Sequence, residues 1–189
     1  MSLFCDLTPE SSGTITNMNQ SIIILCGAPF SGKSRLAKQL NSELGLKIAS
    51  YDNDIYAIHK HKVPKGTTPA KEYEAIQATA RKHLGNLLLP GESIIYDDLC
   101  LEKDDRNKLK QVADEYGVGY ILVFLDTPEL VIQQRRDANL KTLARDHISD
   151  KKLKLDLSLL ERPGADENPI IVSPDTPFEE VVNRIRRRL

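Results

Sequence analysis

The chain has 189 residues, 40% apolar and 28% charged, with a formal net charge of −1. That length supports one compact domain with a sizeable core and no need of a metal or disulfide staple, and the near-zero charge excludes a global electrostatic pull toward nucleic acid or membranes. The three cysteines, Cys5, Cys26 and Cys100, stand at no metal-ligand spacing and fit a reducing, cytoplasmic setting, while no apolar run reaches the ~18 residues of a membrane span.

Residues 1–20 are rich in Ser, Thr and Asn, lack signal-peptide grammar, and read as a flexible leader ahead of one domain over 21–189. Ser21–Cys26 is a short β-branched run ending at Gly27, the pattern of a strand buried on both faces. Ser34–Leu44 puts Leu36, Ala37, Leu40 and Leu44 on one helical stripe, stopped by Gly45. Leu46–Ser50 reads as a second strand, and Pro69–Leu89 as a helix with Tyr73, Ile76, Ala80, Leu84 and Leu87 inward. Ser93–Asp97 is a third strand, and Asp104–Tyr116 a helix closed by Gly117. Gly119–Leu125 is the clearest buried strand; Thr127-Pro128-Glu129 then opens a helix with a capping hydroxyl. Ser149–Leu160 is a further helix and Pro169–Val172 a last strand. Thr176-Pro177-Phe178-Glu179 has capping-box spacing before a final helix with Phe178, Val181, Val182, Ile185 and Leu189 inward. Strand and helix alternate throughout, which predicts an α/β fold: a parallel sheet of about five strands with helices on both faces.

Gly27-Ala28-Pro29-Phe30-Ser31-Gly32-Lys33-Ser34 satisfies G-x-x-x-x-G-K-[ST] between a predicted strand and a predicted helix. Glycines let backbone amides wrap phosphates without Cβ clashes, and the helix N-terminus adds its positive dipole end. In that reading Lys33 reaches the β- and γ-phosphates of ATP, Ser34 places its hydroxyl on Mg²⁺, and Arg35 completes the nucleotide-binding stretch.

Ligands of an open α/β sheet bind outside the carboxyl ends of its strands, and acids cluster at two of those ends. The second strand runs into Asp52-Asn53-Asp54, the third into Asp97-Asp98. Asp52 or Asp54 suits the base that accepts an attacking hydroxyl's proton, and Asp97 suits Mg²⁺ or its water shell. Asp98 follows Asp97 and strand alternation turns it away. A basic segment then covers 135–154, with Arg135, Arg136 and Arg145 as candidates to stabilise a transferring phosphoryl group and a lid over about 139–163 to exclude water. Lys151, Lys152 and Lys154 read as a solvated face. His59, His61 and His83 have no partner at metal spacing, and His147, beside Arg145, lines the lid.

These residues together resemble P-loop kinases related to the kinase domain of polynucleotide kinase and to zeta-toxin-like kinases. The similarity runs from Ser21 to the C-terminus: G-x-P-x-S-G-K-S at 27–34, Asp52 or Asp54 after a short strand, and a strand ending at Asp97. It continues through a helix ending Tyr116-Gly117, Asp126-Thr127-Pro128 with Arg135-Arg136 beyond it, lid Arg145, and Glu161-Arg162-Pro163. The resemblance implies a three-layer P-loop NTPase fold with strand order 2-3-1-4-5 and ATP–Mg²⁺ as phosphoryl donor. It departs where polynucleotide-kinase-type members carry an Arg three residues after the base; here Ile55 stands three residues after Asp52, with Tyr56 next to it. Asp52-Asn53-Asp54 also resembles the Asp-x-Asp of shikimate-type kinases, which bind a small polyol. The expectation is therefore transfer to the hydroxyl of a small molecule. The alternatives are a polynucleotide or nucleotide 5′-hydroxyl kinase and a nucleotide-binding regulatory module without an acceptor.

Overall fold

The computed structural model describes residues 20–50, 69–142 and 148–189. Five strands, β1 (Ser21–Cys26), β2 (Lys47–Ser50), β3 (Ile94–Asp97), β4 (Gly119–Leu125) and β5 (Ile170–Val172), form one sheet in the order β2-β3-β1-β4-β5. Every pairing is parallel, with β1 central: Ile23 lies opposite Ile95 on one side and Ile121 on the other. The helices are α1 (Lys33–Leu44), α2 (Ala70–Leu88), α3 (Lys103–Glu115), α4 (Glu129–Thr142), α5 (Asp150–Ser158) and α6 (Phe178–Arg186).

Side chains alternate across a strand, so an all-apolar β1 feeds two cores. Ile22, Ile24 and Cys26 join Ile76, Ala80 and Leu84 of α2 and Leu109, Val112 and Ala113 of α3. Ile23 and Leu25 face the opposite layer, with Leu36, Ala37 and Leu40 of α1 and Val181, Val182 and Ile185 of α6. The two faces make the three layers, and the expected strand order and helical stripes are those observed.

Parallel strands bring all their carboxyl ends to one edge, so the loops after β1, β3, β4 and β5 meet there. At the opposite edge Gln20, the last residue of the expected leader, is buried and donates its side-chain amide to the carbonyls of Leu88 and Glu92 at 2.6 and 2.9 Å. The rest of that leader lies outside the described residues.

Two expected helix starts differ in detail. Ser149 caps α5, its hydroxyl accepting the Lys152 N–H. The capping box at Thr176 is not formed: α6 starts after Pro177 without a side-chain cap, and Thr176 Oγ1 instead accepts the Ser173 N–H at 2.9 Å. A tight turn, closed by the Thr176 N–H on the Ser173 carbonyl, draws that hydroxyl back toward β5.

Candidate functional site

The chain leaves β1 at Gly27, whose N–H donates to the Leu99 carbonyl at 3.1 Å and so ties the loop to the segment after β3. Gly27 has φ 148°, and a Cβ there would meet the Leu125 carbonyl oxygen at 3.0 Å. Only glycine lets the loop lie this close to the end of β4. Phe30 (φ 61°) and Gly32 (φ 114°) are also left-handed, and the Ser31 N–H closes a turn on the Ala28 carbonyl at 3.2 Å. Turns of this kind gather amides into an anion-binding concavity. Gly32 is the N-cap of α1 and supplies no side-chain cap, leaving the first-turn amides for another acceptor. Ser31 Oγ is buried without a hydrogen-bond partner among the described residues. A tight glycine cradle, an uncapped helix start and an orphaned hydroxyl fit a phosphate chain.

Lys33, the first residue of α1, is buried, and its ammonium donates to the Gly27 and Ala28 carbonyls, both at 2.8 Å. Burial lowers its proton affinity; the carboxylate of Asp97 is the strongest charge opposing that loss, with Asp98 acting more weakly. Asp97 ends β3, half-buried and in register with Leu25 and Ser50. Ser34 and Arg35 are exposed on the first turn of α1. β3 stops at Asp97, so strand alternation does not govern Asp98. Its Oδ1 accepts the Leu99 N–H at 2.6 Å and its Oδ2 the Cys100 thiol at 3.7 Å.

The two neighbouring arginines part company. Arg135 Nη1 donates to the carbonyls of Phe30 and Ser31 at 3.1 and 2.7 Å, against the phosphate loop. Arg136 donates to the Ile148 carbonyl at 3.3 Å and pairs with Asp150 and Asp137, holding the start of α5. That helix also reaches the loop: Ala28 packs with Ile132 of α4 and Leu153 of α5, flanked by Phe30 and Leu157. Asp52, Asp54, His59, His61, Arg145 and His147 lie outside the described residues.

Three features escaped the sequence reading. Thr127, expected to cap α4, turns its hydroxyl to the loop and donates to the Ser31 carbonyl at 3.0 Å. Arg106 is 1% exposed, with Nε and Nη2 on Glu167 at 2.5 and 2.9 Å. Its Nη1 donates to the carbonyls of Cys100, Leu101 and Glu161. Its spacing of three residues from Leu109 and seven from Ala113 was the available signal, since it places Arg106 on the inward stripe. Arg162, from the Glu-x-Pro segment, pairs with Asp126 and sits 5.7 Å over the Phe124 ring. Beside Arg106, Cys26 donates its thiol to the Cys100 carbonyl at 3.0 Å, and burial pushes that thiol up to about 12, so it stays neutral.

A parallel sheet in the order 2-3-1-4-5, with a lysine-bearing glycine loop between its central strand and the next helix, defines a P-loop NTPase fold. Within that class the chain belongs to the AAA_33 family, an AAA domain whose model matches residues 22–163. Among solved structures it is similar to the Mycobacterium tuberculosis APS kinase in complex with AMPPNP and APS. There the TM-score is 0.65 at 20% identity, over 89% of this chain and 96% of that one. A gluconokinase from Sinorhizobium meliloti 1021 gives 0.61 at 20% identity, over 90% and 91%. Chaetomium thermophilum Kti12 in complex with ADP-AlF3 gives 0.68 at 18% identity, over 88% and 98%. No curated protein sequence matches the chain. Among the described residues no helix is long and apolar enough to cross a membrane.

Proposed function

We propose that this chain is an ATP-dependent kinase that transfers the γ-phosphoryl group to a hydroxyl of a small molecule. The observation that carries the reading is the buried Lys33 ammonium, held at the uncapped start of α1 with Asp97 as the main charge acting on it. A cation fixed there meets phosphate oxygens at the point where a helix N-terminus already favours them. Similarity in fold to an APS kinase and a gluconokinase supports a small acceptor.

In this reading residues 27–35 hold the phosphates, with Lys33 on the β- and γ-groups, and Ser34 and Asp97 hold Mg²⁺, directly or through water. Held there, Mg²⁺ would offset the charge of the phosphates. Asp52 or Asp54 takes the acceptor's proton. Arg135 and Arg145 meet the charge of the transferring group, and Arg136 holds α5 against the loop. A loop that excludes water from that group favours transfer over hydrolysis.

The test is transfer from γ-labelled ATP to fractionated metabolite pools, with oligonucleotides as a parallel acceptor. Label in a small-molecule fraction, lost in Lys33→Ala while its melting curve is kept, is the expected result. Turnover near wild type in Lys33→Ala would sink the mechanism. Label on oligonucleotide alone would shift the reading to a 5′-hydroxyl kinase. ATP binding with no labelled acceptor would shift it to a regulatory module.

A further inference from the structure

The Ser31 carbonyl is where the phosphate loop meets the end of β4 and the body of α4. It accepts from Thr127 Oγ1 at 3.0 Å and from Arg135 Nη1 at 2.7 Å, and the same Nη1 takes the Phe30 carbonyl at 3.1 Å. Thr127 is itself firmly placed. Its N–H closes on the Leu125 carbonyl at 3.0 Å, the preceding Asp126 N–H is on Val172 of β5 at 2.9 Å, and Pro128 follows as the first acceptor of α4.

A trans peptide is planar, with its C=O and N–H pointing in opposite directions. The Ser31 carbonyl shares its peptide with the Gly32 N–H. Holding that carbonyl against β4 and α4 therefore aims the Gly32 N–H to the other side of the loop, at the entrance to α1. Phe30 at φ 61° and Gly32 at φ 114° make this a conformation that outside contacts must hold.

We propose that Thr127 is a positioning residue of the nucleotide site: its hydroxyl latches the Ser31–Gly32 peptide and sets the direction of the Gly32 amide toward the phosphates. This rests on the reading that residues 27–34 hold a nucleotide, and it adds a determinant outside the motif. The latch joins the loop after β4 to the loop after β1, so a residue 96 positions away in sequence shapes the cradle.

Thr127→Val removes the donor and keeps the β-branched shape; Thr127→Ser keeps the donor. Hydrogen exchange of the 27–36 amides is followed in the protein alone, and ATP–Mg²⁺ affinity by calorimetry. The expected result for Thr127→Val is faster exchange across 27–36 and affinity weakened about 3- to 10-fold, the worth of one hydrogen bond to a carbonyl that keeps its second donor. Thr127→Ser is expected to restore both. Thr127→Ala serves the same purpose if Val disturbs folding. Unchanged loop exchange in Thr127→Val overturns the latch, as does faster exchange confined to α4, which would make the hydroxyl a helix cap. Wild-type protein that fails to bind ATP–Mg²⁺ overturns the nucleotide reading and with it the positioning role, while loop exchange still reports whether the latch exists.

Discussion

Gly27 shows how much of the site rests on single backbone angles. A methyl group there would press on a backbone oxygen of β4 at 3.0 Å, in a φ region that L-residues avoid. Gly27→Ala is expected to weaken ATP–Mg²⁺ binding at least ~5-fold, since strain of this kind costs on the order of 1–3 kcal/mol. Calorimetry on the folded variant checks it. The glycines and Lys33 were legible because the motif fixes their types and spacing. Ser31 was legible only as a motif member: it is free in G-x-x-x-x-G-K-[ST] and fixed in the narrower G-x-P-x-S-G-K-S, and its buried hydroxyl, unpartnered among the described residues, is a product of the fold. Thr127 was misread for a physical reason. A hydroxyl before Pro-Glu suits a helix cap, and only the proximity of the Ser31 carbonyl decides otherwise.

Among the elements, α5 and α6 make an instructive pair. α5 opens directly after Ser149 and α6 two residues after Thr176, yet only Ser149 accepts from its own helix. Removing a cap costs ~1 kcal/mol, so Ser149→Ala is expected to speed exchange of the α5 amides about fivefold and leave α1 unchanged. Equal exchange in variant and wild type would show the cap to be idle. The strands and the stripes of α1, α2, α3 and α6 were legible because burial imposes a period. Local grammar failed at Thr176 because a tight turn competed for the same oxygen. α4 carried the weakest stripe, with Ile132 as its one buried apolar residue. Its contribution is polar, through Arg135 and Arg136.

For the molecule as a whole, the Arg106–Glu167 pair closes the structure. It clasps the 161–167 segment to the loop after β3, which in turn holds Gly27 through Leu99. Burial pushes the Glu167 carboxyl up, but the hydrogen bond from Arg106, with that from the Gly164 N–H, outweighs it and holds the carboxyl below its usual value. A carboxylate with a lowered folded-state pKa adds stability above the unfolded group's pKa and loses it as the pH falls through the folded one. Arg106→Ala is expected to cost about 3–5 kcal/mol in urea unfolding at neutral pH, because it strands a buried carboxylate. That loss should shrink toward acid pH; a cost independent of pH would argue against the ion pair. No spacing rule connects residues 61 positions apart, so this clasp was invisible in the sequence, whereas the gathering of loops at one sheet edge followed from strand–helix alternation. The contact of Phe30 with the cluster of Ala28, Ile132 and Leu153 gives this architecture an optical handle. The chain contains no tryptophan, so Phe30→Trp would introduce a sole indole, and its fluorescence would report the seam between phosphate loop and α5 without background.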